Sequence, residues 1–211
     1  HTHKTKLPIE LWLQRNKTQP CVMAALQQKV GDRVTLRYFD DQMEEYAQAT
    51  ARISRSKRFA NTQYKLIALA MSSFEKVLLV DEDSYLVQTP DQAMEACIKA
   101  SGDTGAVFWH DVYGISPESQ VWSMIGVETK QGFSQESGLV YIDKSVAWRG
   151  LYLAAYMNQR QNAYYHMILG DKDTYFLAFE SLGMKYKWVP YVPYLLCDTA
   201  DREKANGVSF L

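Results

Sequence analysis

The stretch Lys76-Val77-Leu78-Leu79-Val80-Asp81-Glu82-Asp83 decides the fold. Val77 to Val80 is a continuous apolar run, too short for a helix and suited to a central strand covered on both faces. It ends abruptly in acid. Just upstream, Leu66, Leu69, Ala70, Ser73 and Phe74 recur at the spacing of a helix with one buried face. A helix, a buried strand and then carboxylates match an open α/β sheet, whose ligands sit at the carboxyl ends of the strands.

Working outward, the segment after Pro8 (Ile9 to Leu13) alternates like a strand, and Pro20 to Lys29 reads as a helix stopping near Gly31. Val34 to Phe39 predicts a second strand. Asp40-Asp41 can cap a helix running to about Ile53, and the basic, polar stretch Ile53 to Asn61 reads as a loop. Beyond the central run, helices are predicted over Pro90–Lys99, Val146–Gln159 and Thr174–Leu182, the last stopped by Gly183. Strands are predicted over Gly105–Trp109, Gly138–Ile142 and Tyr186–Val189. The alternation gives an α/β sandwich with a mixed, mostly parallel sheet. No linker, internal repeat or low-complexity stretch interrupts the 211 residues, which suffice for one domain.

Composition narrows the function. A net charge of −1, from 23 basic and 24 acidic side chains, gives no basic excess for nucleic acid. No apolar run reaches the roughly 18–20 residues that span a bilayer, and no signal peptide is visible. Cys21, Cys97 and Cys197 have no metal-knuckle spacing, and an odd count is not a disulfide framework. Asn16-Lys17-Thr18 is a glycosylation sequon, a weak pointer to a secretory compartment.

Three acidic constellations carry candidate chemistry. On an extended segment Asp81 and Asp83 point the same way, and a hard divalent cation such as Mn²⁺ or Mg²⁺ would neutralise them while bridging to phosphates. The plain alternative is a solvated acidic turn. Gly170-Asp171-Lys172-Asp173-Thr174 opens a helix, where Asp171 or Asp173 would serve as an N-cap; Lys172 is not needed for capping. Gln135-Glu136-Ser137-Gly138 precedes a strand, and Gly138 lets backbone approach a ligand, or simply turns. Lys65 lies off the apolar stripe of its helix, free to snorkel or to reach a diphosphate. His110 and His166 are expected to be packed or surface residues rather than metal ligands. The 14 tyrosines and 5 tryptophans offer flat rings that also suit sugar faces.

Together these residues resemble the fungal α-1,3-mannosyltransferase family (glycosyltransferase family 71, GT-A superfamily). Leu7-Pro8-Ile9-Glu10, Lys65 with Ser72-Ser73-Phe74-Glu75 through Asp83, Thr104 to Phe108, Glu136-Ser137-Gly138 through Ile142-Asp143-Lys144, and Gly170 to Thr174 match its blocks in order. The resemblance implies a GT-A fold and retaining transfer of a sugar, from GDP-mannose in that family, to a glycan or glycoprotein hydroxyl. Asp81 and Asp83 would hold Mn²⁺ against the diphosphate, with Lys65 and Glu82 in the same donor-binding set. Glu136, Ser137 and Gly138 would line the sugar pocket, and Asp171 and Asp173, with Glu136, would carry the catalytic roles. The resemblance also implies a Golgi-lumen enzyme of type II topology, attached to the membrane through an anchor that this chain does not carry. It leads us to expect one catalytic domain over residues 1–211, starting after the first nucleotide-binding strand, with a third metal ligand unassigned.

Two rival readings belong beside it. Haloacid-dehalogenase-type phosphatases also end an apolar strand in Asp-x-Asp, which would make Asp81 a nucleophile; their motif usually opens the chain, and Tyr85 departs from it. A non-catalytic sugar- or nucleotide-binding module would bind without turnover.

Overall fold

The computed structural model describes residues 5–14, 18–29, 31–41, 64–130 and 134–191. Strand β1 (Ile9–Leu13), helix α1 (Pro20–Lys29) and strand β2 (Val34–Tyr38) open the chain, and the two strands pair in parallel. Residues 39–41 are helical. The remainder of the helix expected to Ile53, the basic loop Ile53–Asn61, Asn16 of the sequon and Cys197 lie outside the described residues.

Helix α2 (Tyr64–Met71) follows, then β3 (Lys76–Val80), α3 (Pro90–Ser101), β4 (Ala106–His110), α4 (Val121–Ile125), β5 (Gln135–Asp143), α5 (Lys144–Gln159), α6 (Gln161–Tyr164), α7 (Thr174–Ser181) and β6 (Lys187–Trp188). Helix α2 stops before Ser73 because that residue is diverted. Its N–H and hydroxyl both donate to Glu10 Oε1, at 3.2 and 2.8 Å, tying β1 to the approach to β3. Glu10 also accepts from Arg37 on β2, at 3.0 and 3.1 Å.

Among the described residues the main sheet has the order β3-β5-β4-β6. Strand β5 runs antiparallel to both neighbours and β4 pairs with β6 in parallel, so β3, β4 and β6 share one direction. The expected α/β sandwich with a mixed sheet is therefore present. Burial assigns its faces by the two-residue period of a strand. Val77, Leu79, Ala106, Phe108, Val140 and Ile142 pack on the side of α2, α5 and α7. Leu78, Val107, Trp109 and Tyr141 pack on the other side, against Met94 and Cys97 of α3.

One expectation is corrected. Val77–Val80 is not the central covered strand: β3 is outermost among the described four, with Val77 buried and Val80 37% exposed. The central strand is β5, whose Val140, Tyr141 and Ile142 are fully buried. A run of four apolar residues identifies a strand but not its rank in the sheet. Helices α4 and α6 were not foreseen; at 5 and 4 residues they are too short to show a period.

Local chemistry fixes the joints. Thr89 and Gln92 form a capping box ahead of α3, with Pro90 in its first turn. Asp143 ends β5, caps α5 by accepting from the Ser145 N–H at 3.1 Å, and pairs with Lys76 of β3 at 2.5 Å. Cys97 is a buried free thiol that burial pushes up to about 11, the behaviour of an inert core residue. No helix among the described residues is long and apolar enough to cross a membrane.

Helices α5 and α7 touch through Gly150, where an added Cβ would lie 2.7 Å from Cζ of Phe179. Alanine in a helix interior normally gains about 1 kcal/mol over glycine, but overpacking a close contact costs about 1–3 kcal/mol. The contact wins here, since Phe179 is itself buried and packed edge-on against Phe108 and Tyr186. Gly150→Ala should lower stability by about 1–2 kcal/mol in chemical denaturation; an increase would contradict this packing.

Candidate active site

The site begins with an irregularity in β5. Phe108 of β4 pairs with Val140, yet the next residue, Trp109, pairs with Glu136. Ser137, Gly138 and Leu139 therefore drop out of the β4 ladder, as in a bulge, which re-aims side chains. They remain tied to β3: Leu139 lies opposite Val80, and the Asp81 N–H donates to the Gly138 carbonyl at 2.9 Å. A Cβ at Gly138 would meet Glu136 Oε1 at 3.1 Å, Ser84 Oγ at 3.2 Å and Asp81 Oδ2 at 3.8 Å, so a larger residue would crowd these side chains.

Lys65, in the first turn of α2, reaches into the gap. Its ammonium donates to Asp81 Oδ2 at 2.6 Å and to Ser137 Oγ at 3.1 Å. Burial works to lower the Lys65 pKa, but the carboxylates of Asp171, Asp81 and Glu136 outweigh it and hold the ammonium above its ordinary value. Asp171 is 5% exposed, and burial pushes its carboxyl up to about 6 against the pull of Lys65, with Asp81 and Glu136 adding to the rise. Asp171 Oδ2 is buried with no hydrogen-bond partner, and so is the Tyr175 hydroxyl. Burial and the charges of Asp171 and Asp81 raise the Tyr175 pKa well above normal. Glu136 folds back so that Oε1 accepts from the Gly138 N–H at 2.7 Å.

Four of the residues singled out in the sequence, Lys65, Asp81, Ser137 and Gly138, thus meet directly, with Glu136 and Asp171 beside them. The acidic turn differs from expectation. Strand β3 ends at Val80, and Asp81 to Ser84 form a turn closed by the Ser84 N–H on the Asp81 carbonyl at 3.0 Å. Asp83 and Glu82 are exposed on that turn rather than on an extended segment. Among the described residues, no group of three or more His, Cys, Asp or Glu side chains is arranged to hold a metal ion by itself.

The helix-cap reading of the Gly170–Thr174 loop fails. Gly170 takes a φ of +76°, which favours glycine and turns the chain ahead of α7. Asp173 makes no side-chain cap bond to α7. Instead, its Oδ1 accepts from Ser134 Oγ at 2.8 Å and from the Gln135 N–H at 2.9 Å, fastening the loop to the start of β5. Burial pushes the Asp173 carboxyl up to about 6, opposed by the Gln135 N–H, Lys172 and Ser134. Lys172 explains its place between two acids by pairing with Asp111 at the end of β4 and donating to Ser134 Oγ at 3.2 Å. Asn158 holds the same loop from α5, donating to Thr174 Oγ1 at 2.7 Å. His110 stacks on Trp188 with ring centroids 4.4 Å apart, so it is a packed residue. Sequence reading missed Tyr175 and the Asp111 and Ser134 supports. Tyr175 falls within a continuous apolar run on α7, which gave no signal.

Asp173→Ala would strand a buried hydroxyl and a buried N–H, at a cost of about 2–3 kcal/mol. Asp173→Asn keeps an acceptor oxygen and should cost less than about 1 kcal/mol at neutral pH. Because the folded carboxyl holds its proton up to about 6 against an ordinary 3.8, its contribution to stability falls as pH rises through that window. Denaturation curves across that range should be flatter for Asp173→Asn than for the unmutated chain; an unchanged slope would contradict the burial of this charge.

Residues 1–126 and 117–205 match the family model Mannosyl_trans3, described as "Mannosyltransferase putative". Alpha-1,2-mannosyltransferase MNN22 of Candida albicans is 23% identical over 177 residues, covering 64% of this chain and 30% of that protein. Alpha-1,2-mannosyltransferase MNN5 of Saccharomyces cerevisiae S288c is 23% identical over 186 residues, covering 61% of this chain and 31% of that protein. The chain thus spans under a third of the length of these relatives. A solved structure of mouse xyloside xylosyltransferase 1, apo form, aligns over 93% of this chain and 76% of its own with a TM-score of 0.48 and 12% identity. The relatives are named for 1,2 rather than the expected 1,3 linkage; the matched blocks supply strands, joints and the acidic cluster, and none of them reports which acceptor hydroxyl is used. With both matched segments together covering nearly its whole length, the chain belongs to the Mannosyl_trans3 mannosyltransferase family.

Proposed function

We propose that this chain is the donor-binding and catalytic part of a retaining glycosyltransferase that moves mannose from GDP-mannose to a glycan hydroxyl. The observation that carries the reading is the convergence of Lys65, Asp81 and Ser137 at the broken edge of β5, beside the buried Asp171. Family membership supports a sugar transferase over a phosphatase.

The charge balance supports a divalent cation. One ammonium, Lys65, faces the carboxylates of Asp81, Glu136 and Asp171. A diphosphate entering this excess of negative charge would be repelled. Asp81 and Asp83 offer hard oxygen donors at one turn, the kind of ligand that Mn²⁺ or Mg²⁺ takes together with phosphate oxygens. When bound, the cation would neutralise the leaving diphosphate as its charge develops.

The chain's own residues do the rest. The Lys65 ammonium, held by Asp81 and Ser137, donates toward a donor phosphate or sugar oxygen. The Ser137 hydroxyl and the open backbone at Gly138 allow the sugar to approach closely. Asp171, ionised above about 6 and only partly neutralised by Lys65, faces the positive charge that builds on the sugar ring as the glycosidic bond loosens.

Calorimetric titration of GDP with Mn²⁺, repeated in EDTA and with UDP, tests this reading. Binding should require the metal and favour GDP. Asp81→Ala and Asp83→Ala should each weaken it by a factor of about ten or more, about 1.4 kcal/mol. The melting temperature should barely move for the exposed Asp83→Ala and fall modestly for Asp81→Ala, where Lys65 loses an ion pair whose side chains are 28% and 25% exposed but keeps Ser137 and the charges of Asp171 and Glu136. Wild-type GDP binding by both variants would refute the assignment. Asp171→Asn should leave GDP affinity near wild type and lower turnover by about 100-fold or more. The turnover of the unmutated chain should fall toward acid pH as Asp171 takes up its proton.

A further inference from the structure

One oxygen of the acidic turn already carries a positive partner. Lys65 Nζ lies 2.6 Å from Asp81 Oδ2 and 3.1 Å from Ser137 Oγ. A carboxylate that the donor-site reading gives to a divalent ion is thus held by a cation of the chain itself. The backbones on both sides are fixed. Helix α2 is pinned by Leu66, Ile67, Ala68 and Leu69, all buried. Asp81 donates its N–H to the Gly138 carbonyl at 2.9 Å, and its own carbonyl accepts the Ser84 N–H at 3.0 Å. What can move between them is the lysine side chain, a flexible four-carbon stem ending in a rotatable ammonium.

This arrangement penalises either ligand alone. A divalent ion on Asp81, through either oxygen, would face the ammonium across one carboxylate, and like charges at that range repel. Lys65 must then let go, and the ammonium is left with the neutral hydroxyl of Ser137. A diphosphate alone meets the carboxylates of Asp81, Glu136 and Asp171 around the ammonium. Lys65 can reach it only by giving up Asp81, which then has no counter-ion. Each ligand by itself therefore breaks the 2.6 Å pair and strands one of its members. Bound together, they break the pair once and replace both halves: Asp81 turns to the metal, and the ammonium turns to a phosphate oxygen in a charge-assisted hydrogen bond. Two ligands that share one such cost bind with positive coupling, and the coupling is reciprocal.

We propose that Lys65 is an exchangeable counter-ion: its ammonium holds Asp81 in the free chain and passes to a diphosphate oxygen when cation and diphosphate bind, so that each ligand depends on the other. The proposal rests on the donor-site reading above and adds how that site is regulated: metal without nucleotide, or nucleotide without metal, is admitted poorly.

Electron paramagnetic resonance of Mn²⁺, which distinguishes free from bound ion, tests it on the full chain without reference to turnover. Saturating GDP should raise the Mn²⁺ affinity of the unmutated chain by about tenfold or more, beyond what Mn²⁺–GDP association in solution supplies. Lys65→Met should move the two measurements in opposite directions. Mn²⁺ alone should bind about tenfold tighter, because Asp81 is released, and the enhancement by GDP should shrink to about twofold or less. Lys65→Gln, which keeps a neutral donor for Ser137, should behave likewise and serves if the methionine variant does not fold. Unchanged or weaker Mn²⁺ binding by the variants, with Mn²⁺-dependent GDP binding intact in the unmutated chain, would overturn the exchange and leave the donor site standing. Inorganic pyrophosphate separates the readings the other way: coupling of Mn²⁺ to pyrophosphate through Lys65, with none to GDP, would keep the exchange and strike the GDP-sugar reading. Coupling below about twofold with both probes in the unmutated chain would overturn the proposal outright.

Discussion

Strand β5 cannot satisfy both of its neighbours along its whole length. From Val140 to Ile142 it pairs with β3 and β4 together; over Ser137 to Leu139 it leaves β4, and only Leu139 and the Gly138 carbonyl stay joined to the β3 side. That break opens the sheet where the Asp81 N–H meets the Gly138 carbonyl, and Lys65 fills the opening. Upstream of the break, the start of β5 is fastened by Asp173 through Ser134 and Gln135, and Gln135 Oε1 in turn accepts from the Phe176 N–H of α7 at 3.1 Å. The break in one strand therefore sets the positions of α2, the acidic turn and the Gly170–Thr174 loop relative to one another.

The second constraint is charge. Placing Asp171 and Asp173 in the interior costs solvation, which both carboxyls register by holding their protons up to about 6. The two are treated differently. Asp173 is satisfied by two donors and works as a fastener. Asp171 keeps an oxygen without a partner, and the hydroxyl of Tyr175, whose pKa the Asp171 charge helps to raise, is in the same condition. Buried polar atoms are almost always paired. These two orphans, near an ammonium that is itself outnumbered by carboxylates, are what the proposed donor site accounts for.

Much of this was legible in the sequence, for reasons that can be traced to particular residues. The helical spacing of Leu66 and Leu69, the apolar run at Val77 and the helix-start signal of Pro90 are local signals, and the elements they predict are present. The ordered blocks were legible too, but they mix two roles. Glu10, Ser73 and Asp143 are joints between elements, whereas Lys65, Asp81, Ser137 and Asp171 converge on the cluster. The rank of β3 in the sheet was not legible, because an apolar run reports burial and not neighbours. Nor was the fate of Asp173, which reaches Ser134 and Gln135 across a separation of 38 residues or more. Tyr175 was hidden by its apolar neighbours.

The central claim is that the broken edge of β5 is the donor site. Anomalous diffraction from crystals of the chain grown with Mn²⁺ and GDP addresses it directly. The account predicts a manganese peak within coordination distance of Asp81 and Asp83, with diphosphate density reaching toward Lys65. A peak and nucleotide density elsewhere, with the Lys65–Asp81–Ser137 contacts undisturbed, would contradict it.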